Sequence, residues 1–216
     1  MKNYFVIVLC LYLLPSCIKS STDELSPAEY ESWVIDNSEN ITRSKNVRGL
    51  SIEARYLPSQ YMAYQDLERS SQPFDQMEFD KVLSEYQCSL NFQVMLEATS
   101  KEDNLLRYNI RSYEEYKRVI NDLNFQIPSF IYLTLGEVKY QPVLSHFEGY
   151  NEFSNKLVFH IAFNPEEYEC GQFKSGFNAD KLRLTFDDPH WDTGMNHFTF
   201  KREHLEHLPQ ISLLKL

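Results

Sequence analysis

The chain has 216 residues, 14% of them aromatic and only 6 of them glycine, and a formal net charge of −10. A chain of this length can bury one sizeable core, and its aromatic content excludes an intrinsically disordered protein. Its acidic balance argues against a nucleic-acid partner, which requires basic patches, and against adhesion to anionic lipid through charge.

The first apolar segment has the features of a secretory signal. Residues 4–14, YFVIVLCLYLL, follow a single lysine and carry no charge. A run of this length matches the apolar core of a signal peptide, whereas a membrane-spanning helix needs about 20 residues. Residues 1–16 are therefore predicted to be a targeting segment that is removed from the mature protein.

The exit from this segment, Leu14-Pro15-Ser16-Cys17, resembles a bacterial lipobox. This resemblance implies that Cys17 is the lipid attachment residue: cleavage would precede it, and acyl chains would hold the protein at a membrane surface. No aspartate follows the cysteine, which by analogy with Gram-negative lipoproteins implies the outer membrane. The alternative is an ordinary secreted protein with an unmodified cysteine. Residues 17–26 would form a lipidated tether and residues 27–216 one globular domain.

The first half of this domain has mostly helical patterns. Serines with a glutamate three positions later form capping boxes before two of the helices. Alternation of apolar and polar residues predicts strands between the helices, and Tyr108 with Ile110 is expected to extend one pairing strand. The predicted helices cover residues 26–37, 60–68, 75–87 and 112–123, and the predicted strands cover residues 47–56 and 90–98.

Strand patterns dominate after residue 125. Turn-forming residues separate them at fairly regular intervals, which is typical of an antiparallel sheet or sandwich. The whole chain is thus predicted to be α+β, with helices mainly in the first 125 residues and sheet in the C-terminal part. The predicted strands cover residues 131–135, 138–147 with an interruption at Pro142, 156–163, 181–186 and 196–202.

Three stretches of the N-terminal third are similar to uncharacterised lipoproteins of the Bacteroidota. They are residues 25–34 (LSPAEYESWV), 46–50 (NVRGL) and 56–61 (YLPSQY). The resemblance covers about residues 1–65 and implies a location in the cell envelope. It carries no catalytic residues to this chain.

The richest cluster of chemically versatile side chains lies in residues 187–197. Carboxylates and imidazoles could bind a cation there, although their spacing matches neither an EF-hand loop nor a helix-borne zinc motif. The same segment contains the Asp, Pro, Asn and Gly residues that a hairpin connection needs, so a capped surface loop is the simpler interpretation. The candidate metal ligands are Asp187, Asp188, His190, Asp192 and His197.

Three further features leave alternatives open. Cys88 and Cys170 would lie in an oxidising compartment, so they form either a disulfide or two separately buried thiols. His204 and His207 are spaced for one helical turn but lack a third ligand, which favours solvated side chains. The fourteen tyrosines suit either a binding surface or strand packing.

The sequence therefore favours a non-catalytic, lipid-anchored protein of the outer membrane that acts by binding or scaffolding. It needs no cofactor, and its partners would be the membrane and an envelope protein. Two alternatives remain: a cation-dependent hydrolase that uses the loop from Asp187 to His197, and an inhibitor or immunity lipoprotein with an acidic face. The first needs a bound metal, and the second needs a basic partner captured in a salt-sensitive manner.

Overall fold

The computed structural model describes residues 24–100, 104–151 and 155–215. The helices are α1 Pro27–Asp36, α2 Ser38–Ile41, α3 Ser59–Arg69, α4 Gln76–Tyr86, α5 Tyr113–Phe125, α6 Ile127–Phe130 and α7 Arg202–Glu206. The strands are β1 Glu24–Leu25, β2 Thr42–Val47, β3 Leu50–Leu57, β4 Leu90–Ala98, β5 Ile131–Leu135, β6 Val138–Tyr140, β7 Leu144–Asn151, β8 Lys156–Phe163, β9 Tyr168–Glu169, β10 Gln172–Phe173, β11 Lys181–Asp187, β12 Met195–Lys201 and β13 Gln210–Ile211.

Two antiparallel sheets carry the fold. The first sheet has five strands in the order β2-β3-β4-β8-β7, and the second has four in the order β12-β11-β5-β6. The predicted α+β class is confirmed, since most helical residues precede residue 125 and most strands follow it. Among the described residues, no helix combines the length and apolarity needed to cross a bilayer.

Local signals explain where the principal helices begin. The Ser26 hydroxyl accepts a hydrogen bond from the backbone N–H of Glu29, and the Glu29 carboxylate accepts one from the backbone N–H of Ser26. This is the capping box expected from the sequence. At α5 the Ser112 hydroxyl caps Glu115 in the same way, but the Glu115 carboxylate accepts from the N–H of Arg111 instead.

The inner faces of the two sheets pack against each other through aromatic side chains. Phe92 of β4 contacts Phe200 of β12 with ring centroids 5.3 Å apart. Phe130, at the end of α6, contacts Phe159 of the first sheet and Phe186 of the second. A single cluster of buried residues includes both sheets. The sandwich is therefore closed by large rings, which bury much apolar area for each residue.

Pro142 marks the point where the chain leaves one sheet for the other. The sequence pattern joins residues 138–147 into one interrupted strand, whereas β6 pairs with β5 in the second sheet and β7 pairs with β8 in the first. Proline has no backbone N–H to give to a ladder, so pairing stops there. The interruption seen in the sequence is a change of sheet.

Two expectations about strands need correction. The strand predicted over residues 47–56 has the expected buried alternation but begins at Leu50, because Arg48 and Gly49 both take positive φ and form the turn between β2 and β3. Such φ values at two successive residues suit a tight hairpin. Tyr108 and Ile110 extend no strand: the Asn104 side chain accepts from the N–H of Leu106 and begins a 3₁₀ turn over Leu105–Arg107.

Removal of the Phe92 ring is the sharpest test of this packing. We expect Phe92→Ala to lower the free energy of unfolding by about 3–5 kcal/mol, because it leaves a cavity where the two sheets meet. Urea titration followed by circular dichroism measures the change. The matched control is Met77→Ala, since Met77 is 78% exposed. A loss below about 1 kcal/mol at Phe92 would contradict the packing described above.

Candidate ligand-binding cleft

The segment that connects β11 to β12 is a self-capped loop. One carboxylate, that of Asp188, accepts hydrogen bonds from the backbone N–H groups of His190, Trp191 and Thr193, at 2.6–2.8 Å. It also accepts from the Thr193 hydroxyl at 2.7 Å. These four bonds use the acceptor capacity that a cation would need.

The other candidate ligands of this loop point to different surroundings. Asp187 and Asp192 are exposed, and Nδ1 of His197 lies 3.0 Å from the Thr185 hydroxyl on the neighbouring strand. Nε2 of His190 lies 3.4 Å from an Asp122 carboxylate oxygen on α5. Within the described part of the chain, no group of three or more His, Cys, Asp and Glu side chains is placed to hold a metal ion.

Trp191 explains why the loop has this composition. Its side chain is only 1% exposed, and its indole N–H donates to the carbonyl of Leu105 at 2.9 Å. The loop therefore fastens the second sheet to the 3₁₀ turn that precedes α5. The geometry assigns it a role in folding, with Asp188 setting the backbone so that Trp191 can enter the core.

His190 is held mainly in its neutral form. Burial lowers the pKa of His190 from its ordinary value of 6.5, while the nearby carboxylates of Asp122 and Asp188 oppose this shift and Arg118 reinforces it. Burial is the largest of these effects because the side chain is mostly removed from water. No described side chain makes a good hydrogen bond to Nε2, so the 3.4 Å approach of Asp122 offsets burial only in part.

Two further groups of histidines lie at the surface. In the α7 turn, Nε2 of His204 lies 3.5 Å from the Glu203 carboxylate, and Nδ1 of His207 lies 2.8 Å from the Glu203 carbonyl oxygen. His160 faces His146 across β8 and β7 and contacts Glu148 at 2.5 Å. Each group brings two histidines near one glutamate, and neither forms a three-ligand site.

Cys88 and Cys170 form a disulfide, with the sulfur atoms 2.09 Å apart. Cys88 lies between α4 and β4, and Cys170 lies at the turn between β9 and β10. The bond therefore fixes the small β9–β10 hairpin beside the α4–β4 corner. Sequence spacing left this pairing open, since the two residues are separated by 82 positions.

A cleft of about 170 Å³ opens beside this disulfide. Distant parts of the chain supply its walls: α1, the end of β3, the start of α3, α4, the β9–β10 hairpin and the C-terminal segment. Its hydrogen-bonding groups come from tyrosines and glutamines, and its apolar surface comes from leucines. The residues that carry these groups are Tyr30, Tyr56, Tyr168, Gln60, Gln87, Gln210, Leu83, Leu205 and Leu208.

Two of the tyrosine hydroxyls are neighbours in the cleft. Tyr56 is fully buried, and burial together with the nearby Tyr168 hydroxyl raises its pKa well above the ordinary value of 10.0. Burial also raises the pKa of Tyr168, and the Tyr56 hydroxyl and the backbone of Gly171 oppose this increase. The two side chains therefore bring β3 beside the hairpin that the disulfide fixes.

The third tyrosine has no such partner. Tyr30 is 1% exposed, and its hydroxyl makes no hydrogen bond with any described residue. Burial raises the pKa of this hydroxyl far above 10.0, so it remains protonated and can act as a donor. A buried hydroxyl without a partner is uncommon and costs about 1–3 kcal/mol.

The charged residue at the cleft is neutralised by its neighbour. Glu206 lines the cleft, and its carboxylate accepts from Nε of Arg202 at 2.9 Å. No Lys or Arg is among the residues that line it. The cleft is thus close to electrically neutral and offers hydroxyl and amide groups.

Two larger surface depressions lack these features. One, of about 450 Å³, is lined by charged residues at the start of β11 and around α7. Two ion pairs join these lining residues to one another. The other, of about 370 Å³, lies on exposed residues around Tyr113 and Tyr116. Neither contains a buried polar group without a partner, so the smaller cleft is the better candidate site.

Comparisons with known proteins add little. No protein-family model matches the chain, and no curated protein matches it significantly. A solved structure, described as a novel protein of unknown function from Burkholderia pseudomallei, is 12% identical to this chain. The match covers 86% of this chain and 94% of that one with a TM-score of 0.38, a similarity too low to establish a shared fold or function.

His190 gives a testable pH dependence. Its pKa is lower in the folded protein than in the unfolded chain, so the unfolded chain binds more protons as the pH falls below about 6.5. When the pH is lowered from 7.5 to 5.5, about one unit on either side of that value, we expect the free energy of unfolding to decrease less in His190→Gln than in the wild type. Urea titrations at both pH values measure the difference, with exposed His146→Gln as the control. An identical pH dependence in His190→Gln and the wild type would contradict the assigned burial effect.

Proposed function

We propose that the protein is a lipid-anchored binding protein of the bacterial cell envelope and that it binds a small neutral ligand in the cleft beside Tyr30. The anchor belongs to residues 1–23, which lie outside the described residues, so Cys17 remains a prediction from the lipobox-like sequence. Two features support the proposal: the sequence of the signal segment and the chemistry of the cleft.

The position of the first described residues is consistent with a tether at the cleft. Leu25 of β1 pairs in parallel with Ile211 of β13, and the carbonyl of Leu25 accepts from the N–H of Ser212. Gln210, the other residue of β13, lines the cleft. A tether from a lipidated Cys17 would therefore join the domain next to this site. It would raise the local concentration of the site near membrane components.

The Tyr30 hydroxyl is the observation that carries the binding proposal. No described partner compensates for the desolvation of this hydroxyl. Phenylalanine at this position of α1 would therefore give a more stable unliganded protein than tyrosine does. Such groups are few in native proteins, and an unseen partner such as a bound molecule or an ordered water is one explanation for them. A ligand with a hydrogen-bond acceptor would supply the missing partner.

The walls of the cleft indicate the chemical class of this ligand. Tyrosine hydroxyls donate and accept, glutamine amides do both, and leucines offer an apolar face. A neutral, hydroxyl-bearing ring matches all three properties, and the volume suits a single ring rather than a larger cofactor. A monosaccharide unit has this chemistry.

Tyr30→Phe separates a binding role from a structural one. We expect it to raise the free energy of unfolding of the unliganded protein by about 1 kcal/mol, because it removes an unsatisfied buried hydroxyl. It should also weaken the saturation-transfer NMR signal of N-acetylglucosamine and methyl glucoside several-fold. Tyr56→Phe is the control: it removes a buried hydroxyl that interacts with Tyr168 and should lower the free energy of unfolding by about 1 kcal/mol.

Two outcomes would contradict the assignment of Tyr30. If Tyr30→Phe lowers stability as much as Tyr56→Phe does, its hydroxyl is already satisfied and the cleft has no vacant donor. If the wild type and Tyr30→Phe give equal saturation-transfer signals with both sugars, the sugars do not contact this site.

The anchor has its own test. Metabolic labelling with a radioactive fatty acid should label the wild-type chain and leave Cys17→Ala unlabelled, because the thiol is the attachment point. Intact-mass analysis of the mature protein should show the acyl groups and a new amino terminus at residue 17. Equal labelling of both chains, or a soluble wild-type protein of unacylated mass, would contradict lipid anchoring.

A further inference from the structure

The positively charged side chains on the outer faces of the two sheets have different surroundings. On the first sheet, Arg55 pairs with Glu53 at 3.0 Å and Lys156 pairs with Glu97 at 3.2 Å. His160 contacts Glu148 on the same face. The cations of this face are therefore balanced by neighbouring carboxylates, which is the usual state of a solvated sheet surface.

On the second sheet, three of the four corresponding cations lack carboxylate partners among the described residues. Lys139, Lys181 and Arg183 make no ion pair with any described residue, whereas Lys201 pairs with Glu203 at 3.1 Å. The first three side chains are all exposed. We call Lys139, Lys181, Arg183 and Lys201 together the basic face.

Strand register places these four side chains on one side of the sheet. Thr134 of β5 is opposite Lys139 on one neighbour and opposite Arg183 on the other. Lys181 precedes Arg183 by two positions on β11, and Lys181 is opposite Lys201 on β12. Opposed residues, and residues two apart on one strand, point to the same face.

The basic face also carries hydrogen-bond donors and amphipathic side chains. Thr134 and Thr199 flank Arg183 on its two neighbouring strands. Nζ of Lys139 lies 3.5 Å from the centre of the Tyr132 ring, and the Tyr132 hydroxyl is 3.8 Å from the sulfur of Met195. Met195 is 52% exposed. Cations, hydroxyls, an aromatic ring and a thioether thus share one exposed sheet surface with the carboxylate of Asp187, which is opposite Met195 on β11.

We infer that the basic face docks on the anionic phospholipid headgroups of the membrane at which the protein is held. The presence of the protein at the membrane rests on the proposed lipid anchor. The charge complementarity between the basic face and anionic headgroups does not depend on the anchor. Neighbouring strands are about 4.8 Å apart and alternate residues about 6.7 Å apart, so donors repeat on a flat grid that many phosphates can contact at once. Each Lys or Arg near an anionic surface contributes about 1 kcal/mol.

The charge distribution favours this surface over the outer face of the first sheet. The formal net charge of −10 opposes approach to an anionic membrane unless one locally positive face turns toward it. Much of the acidic excess lies on the helices α1, α3, α4 and α5, which together carry 11 carboxylates and 4 Lys or Arg side chains. Tyr132 and Met195 suit the interface between headgroups and acyl chains, because aromatic and flexible apolar side chains partition there.

The test compares lysine reactivity on two kinds of vesicle. The full acylated protein is reconstituted into phosphatidylcholine vesicles, with or without phosphatidylglycerol, and its lysines are labelled with an amine-reactive ester and quantified by mass spectrometry. We expect phosphatidylglycerol to slow the labelling of Lys139 and Lys181 several-fold and high salt to reverse the effect. Lys156, on the outer face of the first sheet, should react equally on both vesicles.

A matched pair of charge reversals isolates the face. Arg183→Glu and Lys156→Glu change the net charge equally, and each lies on the outer face of one sheet. Arg183→Glu should abolish the protection of Lys139 and Lys181, while Lys156→Glu should leave it intact. Circular dichroism of both variants checks that they fold.

Flotation of the vesicles separates this inference from the anchor. If the protein floats with neutral vesicles but phosphatidylglycerol does not protect Lys139 and Lys181, the docking inference is overturned and an acidic protein is the remaining occupant. If it does not float with neutral vesicles yet floats and is protected with phosphatidylglycerol, the anchor fails and the basic face stands. If it floats with neither, both proposals fail.

Discussion

The contact between the two sheets is the constraint on which the rest of the structure depends. Phe92 touches Tyr56 and Phe163 within the first sheet and Phe200 of the second, so one ring joins three strands and both layers. Neither sheet could bury its apolar face alone, since the helices cover only parts of them. The cleft and the basic face both follow from this packing: Tyr56 borders the cleft, and Phe200 alternates on β12 with the exposed residues of the basic face.

Local features of the sequence predicted the elements because each depends on neighbouring residues. Ser26 and Ser112 begin helices through bonds that span three positions. The alternation of β4 predicted its bounds at Leu90 and Ala98 because one side of that strand is buried and the other is not. The sequence did not reveal β2 for the same physical reason. It is an edge strand of mostly polar residues, so burial leaves no alternation in its sequence.

The candidate site could not be predicted, because it exists only after the fold is complete. Tyr30, Tyr56 and Tyr168 are far apart in the chain and meet through α1, β3 and the β9–β10 hairpin, which the disulfide holds in place. The abundance of tyrosine was visible in the sequence, but their shared surface was not. Conversely, the segment from Asp187 to His197 looked chemically rich because its residues are close in sequence. The structure uses Asp188 to cap a turn and Trp191 to fill the core.

The overall composition did not reveal how the charges are arranged on the surface. A net charge of −10 suggested that the protein avoids anionic surfaces, yet strand pairing collects four cations on one face of the second sheet, and three of them have no carboxylate partner among the described residues. That face is mechanically connected to the cleft. Lys201 ends β12 on the basic face, and Leu205, four positions later in α7, lines the cleft. Because α7 follows β12 without a linker, a membrane that binds the basic face also fixes the direction in which the cleft opens. In both proposals, anchoring, docking and ligand binding depend on this one connection: the proposed lipid would supply proximity and the sheet would supply orientation.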